Sequence, residues 1–326
     1  MIYSWQTEQW QSIASLKQKD CLPHALLFHG SEGVGKTGFA QHLSRSVLCN
    51  KPGTEGVACG QCHSCRLVEA ETHPDLVVIK PAPPEKSKSN KPVLNIRIDV
   101  IRHLCSRLST TSQLGGYRVA IIENAERMVM QAANALLKTL EEPGQNTLIL
   151  LVSSHPHQLP VTVRSRCQAI YCPQPDMPVA LAWLESQGIQ DAQRWLNYAH
   201  GAPLLAMQYA REQHAERQLL ADALLASSNG KSSLSYVQKL ADLPKEYTLV
   251  WLLDWIGDVI RLKQGKHDIA LINEDFREKL QSRAEKSDIK RIFAYYDQIC
   301  SYLRQDGIAL NAQLLWENLL ISWDDL

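Results

Sequence analysis

The amino-acid sequence predicts an α/β domain built on a buried parallel sheet, followed by a half that is all helix. Three observations predict it. Short apolar runs recur through the first 172 residues, with helix-patterned segments between them. A glycine-rich phosphate-binding pattern, HGSEGVGKT at residues 29–37, follows the first of those runs. After Pro173, Pro175 and Pro178 the strand patterns vanish.

Each strand has its own run. Ala25–His29 (ALLFH) leads into the phosphate loop, and Thr37–Leu48 follows with helical spacing. Leu76–Ile79 (LVVI) is the second run. Pro81–Lys91 is rich in Pro, Ser and Lys and reads as a solvated loop. Ile98–Leu108 reads as a helix, Arg118–Ile122 (RVAII) as the third strand and Ala132–Glu142 as a strong helix stopped by Pro143-Gly144. Thr147–Val152 (TLILLV) and the short Ala169–Cys172 (AIYC) complete the set. Runs apolar at every position suit strands covered on both faces, which is the condition of a parallel sheet.

Beyond the prolines, eight segments read as helices: Val179–Gln187, Asp191–His200, Pro203–Leu225, Leu234–Ala241, Tyr247–Gln264, Asp275–Ala284, Asp288–Arg304 and Ala309–Ile321. Gly188, Gly201, 227–230, Gly265 and Gly307 punctuate them. The expected division is three parts: residues 1–172, a small helical unit 173–213 and a larger helical domain 214–326.

The totals narrow the function. The 326 residues are 45% hydrophobic and 21% charged, as in ordinary globular proteins. Lys+Arg and Asp+Glu are both 34, so the chain lacks the excess of positive charge that grips nucleic acid strongly. No apolar run approaches the roughly 20 residues of a membrane span. The start, MIYSWQTEQW, lacks the pattern of an export signal, and the cysteine usage fits a reducing compartment, so a cytoplasmic location is expected.

The phosphate loop carries the first chemistry. Gly30, Gly33 and Gly35 free the backbone to turn its N–H groups toward phosphate oxygens at a helix N-terminus. Lys36 would reach the β- and γ-phosphates, and Thr37 would hold Mg²⁺, so ATP or ADP with Mg²⁺ is the ligand class. A hydrolase also needs carboxylates at the end of a neighbouring strand. The third strand ends in Glu123-Asn124-Ala125-Glu126. Asn124 cannot act as a general base. Glu126 lies three residues past Glu123, and both acids also fit an exposed start of a helix.

Cys49, Cys59, Cys62 and Cys65 form C-x9-C-x2-C-x2-C. Four thiolates would close a tetrahedral, structural zinc site within 49–65, with His63 a spare ligand. Cys21, Cys105, Cys167, Cys172 and Cys300 are isolated, and small buried hydrophobes are their default reading. Trp251, Trp255, Trp316 and Trp323 suit core or interface. Lys263, Lys266, Arg277, Lys279, Arg283 and Lys286 read as a solvated face.

Together HALLFHGSEGVGKT, the four cysteines, ANALLKTLEEP and VRSRC resemble the bacterial clamp-loader family within the AAA+ ATPases, over residues 24–167. The resemblance is weaker beyond 173. It implies an AAA+ core, a helical lid and a C-terminal collar that binds neighbouring subunits. It implies that Arg166 is an arginine finger acting in trans on ATP held by the adjacent subunit. Ser153 or Ser154 takes the first sensor position, and the four cysteines match the family's zinc module. Motor subunits of the family carry Asp-Glu where this chain has Glu123-Asn124, and a Gly-Ser-x-Arg sensor where it has Gly201-Ala202-Pro203-Leu204. Two departures in one site imply a non-hydrolysing subunit of a replicative polymerase assembly. Its implied partners are gamma/tau-type and delta-type subunits in a hetero-pentamer, with the sliding clamp and primed DNA reached through the complex. An active motor ATPase of the gamma/tau type is the alternative. A small-substrate P-loop kinase and a zinc-dependent nucleic-acid module fit less of the chain.

Overall fold

A computed structural model describes residues 2–53, 56–83, 94–226, 230–265, 269–304 and 311–326. The chain divides into two compact units, Met1–Val179 and Ala180–Leu326, and the boundary falls inside a helix that begins four residues after Pro173. No helix among the described residues is long and apolar enough to cross a membrane.

The first unit holds a parallel sheet of five strands among the described residues: β1 (Ala25–His29), β2 (Leu76–Ile79), β3 (Arg118–Ile122), β4 (Thr147–Ser153) and β5 (Gln168–Tyr171). All five runs read from the sequence are strands. Their spatial order is β2-β3-β4-β1-β5, and every pairing is parallel. Successive side chains of a strand face opposite sides. Leu26 and Phe28 therefore join Val119, Ile121, Leu148 and Leu150 on one face, packed by Phe39, Ala40 and Leu43 of α2 (Lys36–Leu48). Ala25 and Leu27 join Ala120, Ile122, Ile149 and Leu151 on the other. There they meet Ile101 and Leu104 of α4 (Ile98–Ser109) and Leu136 and Leu140 of α5 (Met130–Glu141).

Three helices of this unit escaped the sequence reading. In α1 (Thr7–Gln18) only Trp10 and Ile13 are buried, so its apolar pattern is thin. Helix α3 (His63–Glu69) is short and is started by the Cys62 sulfur, which accepts from the Cys65 amide. The short α6 (Val161–Arg164) precedes β5. Most of the loop expected at Pro81–Lys91 lies outside the described residues, and Ala82 within it bridges to Asn95.

The second unit is helical. It contains α7 (Met177–Ser186), which spans the boundary, α8 (Ala192–Tyr198), α9 (Pro203–Glu212), α10 (His214–Leu224), α11 (Val237–Ala241) and α12 (Lys245–Gln264). After these come α13 (Arg277–Lys286), α14 (Ile289–Arg304) and α15 (Ala312–Asp324). The single helix expected at Pro203–Leu225 is two, broken at Gln213. No proline or glycine marks the break. Turning there lets Ala206 and Tyr209 of α9 and Leu220 and Leu224 of α10 enter one core. Trp251, Trp255, Trp316 and Trp323 are fully buried in that core. Arg283 lies over the Trp323 ring at 4.4 Å, which corrects its reading as part of a solvated face. Lys266 and Gly307 lie outside the described residues. Cys172 is buried, but Cys21 is exposed, so the default reading fails there.

Candidate functional site

The loop between β1 and α2 holds Gly30, Gly33 and Gly35, and Lys36 and Thr37 open α2, all at the C-terminal edge of the sheet. Two glycines are obligatory. A Cβ on Gly30 would lie 2.3 Å from the Cys172 carbonyl oxygen, and Gly35 has φ +95 with the Tyr3 ring 2.6 Å from where its Cβ would be. Lys36 is only 5% exposed. Its Nζ donates to the carbonyls of Gly30 (2.9 Å) and Ser31 (2.6 Å) and to Ser154 Oγ (3.0 Å). Burial lowers its pKa, against the pull of nearby Cys172, Glu32 and Glu126.

Three N-terminal residues that sequence reasoning did not single out brace the loop. Trp5 Nε1 and Gln6 Nε2 both donate to the Val34 carbonyl, at 2.9 and 3.0 Å. Tyr3 stacks on Trp5 with ring centroids 4.7 Å apart. No nearby motif signals these contacts.

Strand order decides what meets the loop. β4 lies between β1 and β3, so its end carries Ser153 and Ser154 between Lys36 and the acids that follow β3. Glu123 is held down by its own amide, which donates to the Ile79 carbonyl at 2.9 Å, and its carboxylate accepts from Gln41. Asn124 then takes a left-handed conformation, and the turn Ala125–Arg127 packs against β4. This folds Glu126 inward, with its side chain 3% exposed. The reading of both acids as an exposed helix start is thereby corrected. Glu126 Oε1 accepts from the Ser154 amide at 3.2 Å and lies 3.6 Å from His155 Nδ1. Burial pushes the Glu126 pKa up, but hydrogen bonds from His155 and the Ser153–Ser154 segment outweigh it and leave it lowered. The same hydrogen bond raises His155. Ser153 Oγ accepts from the His155 amide. A carboxylate this enclosed is not open to a water nucleophile, and Asn124 offers no base.

Arg166 follows α6 on the partly exposed rim. Its Nη1 donates to the Thr162 carbonyl at 2.9 Å, and its Nη2 pairs with Glu141, the last residue of α5. Sequence reasoning missed Glu141, because nothing in the ANALLKTLEE pattern points to an arginine so far along the chain.

The four cysteines come together. Cys49 caps the end of α2, Cys62 starts α3 and Cys65 lies within it. Their sulfurs all lie within 4.8 Å of one another, with Cys49–Cys62 at 3.9 Å and Cys59–Cys65 at 4.0 Å. Four sulfurs about 2.3 Å from one ion would stand about 3.8 Å apart. Backbone amides of Cys59, Cys62 and Cys65 donate to the sulfurs of Cys49, Cys59 and Cys62 in turn. The Cys65 amide draws Cys62 down to about 6, while burial pushes Cys65 up to about 12. The set fits a soft divalent cation that would hold all four as thiolates. His63 is exposed and stands outside the group. Buried His73 buttresses it instead. Ser64 Oγ donates to the Leu48 carbonyl at 2.6 Å and so accepts from His73 Nε2 at 2.8 Å, while His73 Nδ1 accepts the Asp75 amide.

The strand order, the loop after β1 and the polar groups after β3 and β4 define a P-loop protein of the AAA+ class. The family described as "DNA polymerase III, delta subunit" matches residues 5–176, and "DNA polymerase III, delta subunit, C terminal" matches 211–325. The chain belongs to the DNA polymerase III delta-prime subunit family. It is 34% identical to DNA polymerase III subunit delta' of Pseudomonas aeruginosa, covering 100% of this chain and 98% of that one. It is 31% identical to DNA polymerase III subunit delta' of Yersinia pestis, covering 99% and 95%. Among solved structures, a DNA polymerase III gamma subunit-related protein of Thermotoga maritima shares the fold, with a TM-score of 0.50 at 18% identity over 97% of this chain and 99% of that one.

Proposed function

We propose that the chain is the largely non-hydrolysing subunit of a bacterial clamp loader, holding the assembly together and supplying Arg166 to ATP bound by its neighbour. The observation that carries this reading is the pairing of a disabled acid site with a rim arginine. Asn124 stands beside Glu123, Glu126 is buried against Ser154, and Arg166 lies partly exposed beyond α6. An arginine supplied in trans stabilises charge in a phosphoryl-transfer transition state without any acid of its own chain.

In this reading Gly30, Gly33, Gly35, Lys36 and Thr37 form a nucleotide cradle that binds ATP or ADP with Mg²⁺ passively. Cys49, Cys59, Cys62 and Cys65 hold a structural zinc ion, which supplies cross-linking and no reaction. Residues 173–213 act as the lid and 214–326 as the collar. The partners are gamma/tau-type and delta-type subunits in a hetero-pentamer, which loads the sliding clamp onto primed DNA in the cytoplasm.

The test is ATP turnover by the reconstituted complex with wild-type and Arg166→Ala chains. The expected loss is on the order of 10³-fold at the site served by the finger, the scale of a trans arginine. An unchanged rate removes the role. ATP turnover by the purified chain, abolished by Lys36→Ala, would instead support the motor alternative.

A further inference from the structure

We propose that Glu141 is an intramolecular seat that holds the Arg166 guanidinium until the neighbour's nucleotide displaces it; this rests on the trans role of Arg166. The guanidinium is engaged on both arms within its own chain. Nη2 pairs with the Glu141 carboxylate, and Nη1 donates to the Thr162 carbonyl at 2.9 Å and lies 3.5 Å from Ser165 Oγ.

The seat is anionic for more than one reason. Glu141 is the last residue of the twelve-residue α5, whose C-terminal end carries partial negative charge. The Thr162 carbonyl belongs to α6, which packs against α5. A carboxylate beside carbonyl oxygens presents acceptors much as a phosphate does, and a planar guanidinium meets either with the same fork.

Strength decides whether such a seat is a trap or a latch. Both side chains are partly exposed, Arg166 at 34% and Glu141 at 48%. Exposed pairs are weak and screened by salt, so nucleotide phosphate can compete for the arginine. While Arg166 sits on Glu141 the neighbour's site lacks its finger. Its apparent affinity for ATP is then lowered by the fraction of time the finger is withheld.

The test uses the reconstituted complex, with ATP turnover followed against ATP concentration for wild-type, Glu141→Gln and Arg166→Ala chains. Glu141→Gln keeps the shape and removes the charge. It should lower the ATP concentration for half-maximal turnover by about two- to fivefold, the factor an exposed ion pair is worth, with the maximal rate unchanged. Raising salt should shrink that difference. An unchanged half-saturation, or a fall in maximal rate, overturns the proposal, the latter by showing that Glu141 only orients the finger. Full turnover in Arg166→Ala would instead overturn the trans role itself, whatever Glu141→Gln does.

Discussion

Lys36 and Ser154 stand 118 residues apart in the chain, yet the lysine ammonium donates to the serine hydroxyl at 3.0 Å. The contact exists because β1 and β4 are neighbours in the sheet, with His29 in register with Ser153. It joins the phosphate loop to the residues that follow β4, and through the Ser154 amide to Glu126.

The loop should bind nucleotide through that lysine. Lys36→Ala is expected to weaken binding of ATP with Mg²⁺ by the isolated chain at least about tenfold, because it removes the buried ammonium proposed to reach the phosphates. Titration with a fluorescent ATP analogue checks it. Equal affinity of the variant would show that Lys36 does not hold the nucleotide.

The Glu126–His155 pair sets a pH window. Glu126 has a lowered pKa in the fold, so its contribution is present above about 4.5 and is lost as pH falls through its folded value. His155 has a raised pKa, so its contribution is full below about 6.5 and is lost as pH rises through its folded value. The pair therefore stabilises the first unit most between these limits. Urea unfolding at pH 5.5 and pH 8 should show a smaller difference for Glu126→Gln than for wild type. An identical pH dependence in the two proteins would refute the coupling.

The cysteine cluster should carry zinc, one ion per chain by elemental analysis. Removing it with a chelator, or replacing Cys62 by Ala, should lower the thermal midpoint of the first unit, because binding energy in such sites is folding energy. Zinc-free protein with an unchanged midpoint would count against a structural metal.

Trp323 anchors the helical core. It is fully buried, donates Nε1–H to the Leu224 carbonyl at 2.8 Å and packs against Trp255 and Tyr295. Trp323→Ala should cost about 3–5 kcal/mol of stability in denaturant unfolding. A cost below 1 kcal/mol would mean that the core collapses readily around the gap.

The central strands β1, β3 and β4 were legible because each is a mostly apolar run buried on both faces, and the partly exposed edge strands β2 and β5 carry the same signature in shorter form. The phosphate loop was legible because its glycines, lysine and threonine are contiguous. The cysteines were legible by spacing, although His63 was not excluded until α3 carried it to the surface. Helix α1 was hidden, since Trp10 and Ile13 alone make too faint a pattern, and so was the break at Gln213, which follows from packing and not from a breaker residue.

Sequence alone marked the five strands, the glycine-rich loop from Ala25–His29 to Lys36 and the cysteine spacing from Cys49 to Cys65. Local pattern carries that information, because apolar period and contiguous motif are properties of neighbouring residues. The inward turn of Glu126, the seating of Arg166 on Glu141, and the bracing of Val34 by Trp5 and Gln6 were decided by tertiary structure. Those contacts join residues brought together by strand order and helix packing, and no local pattern records which distant partner a buried carboxylate or a rim guanidinium will meet.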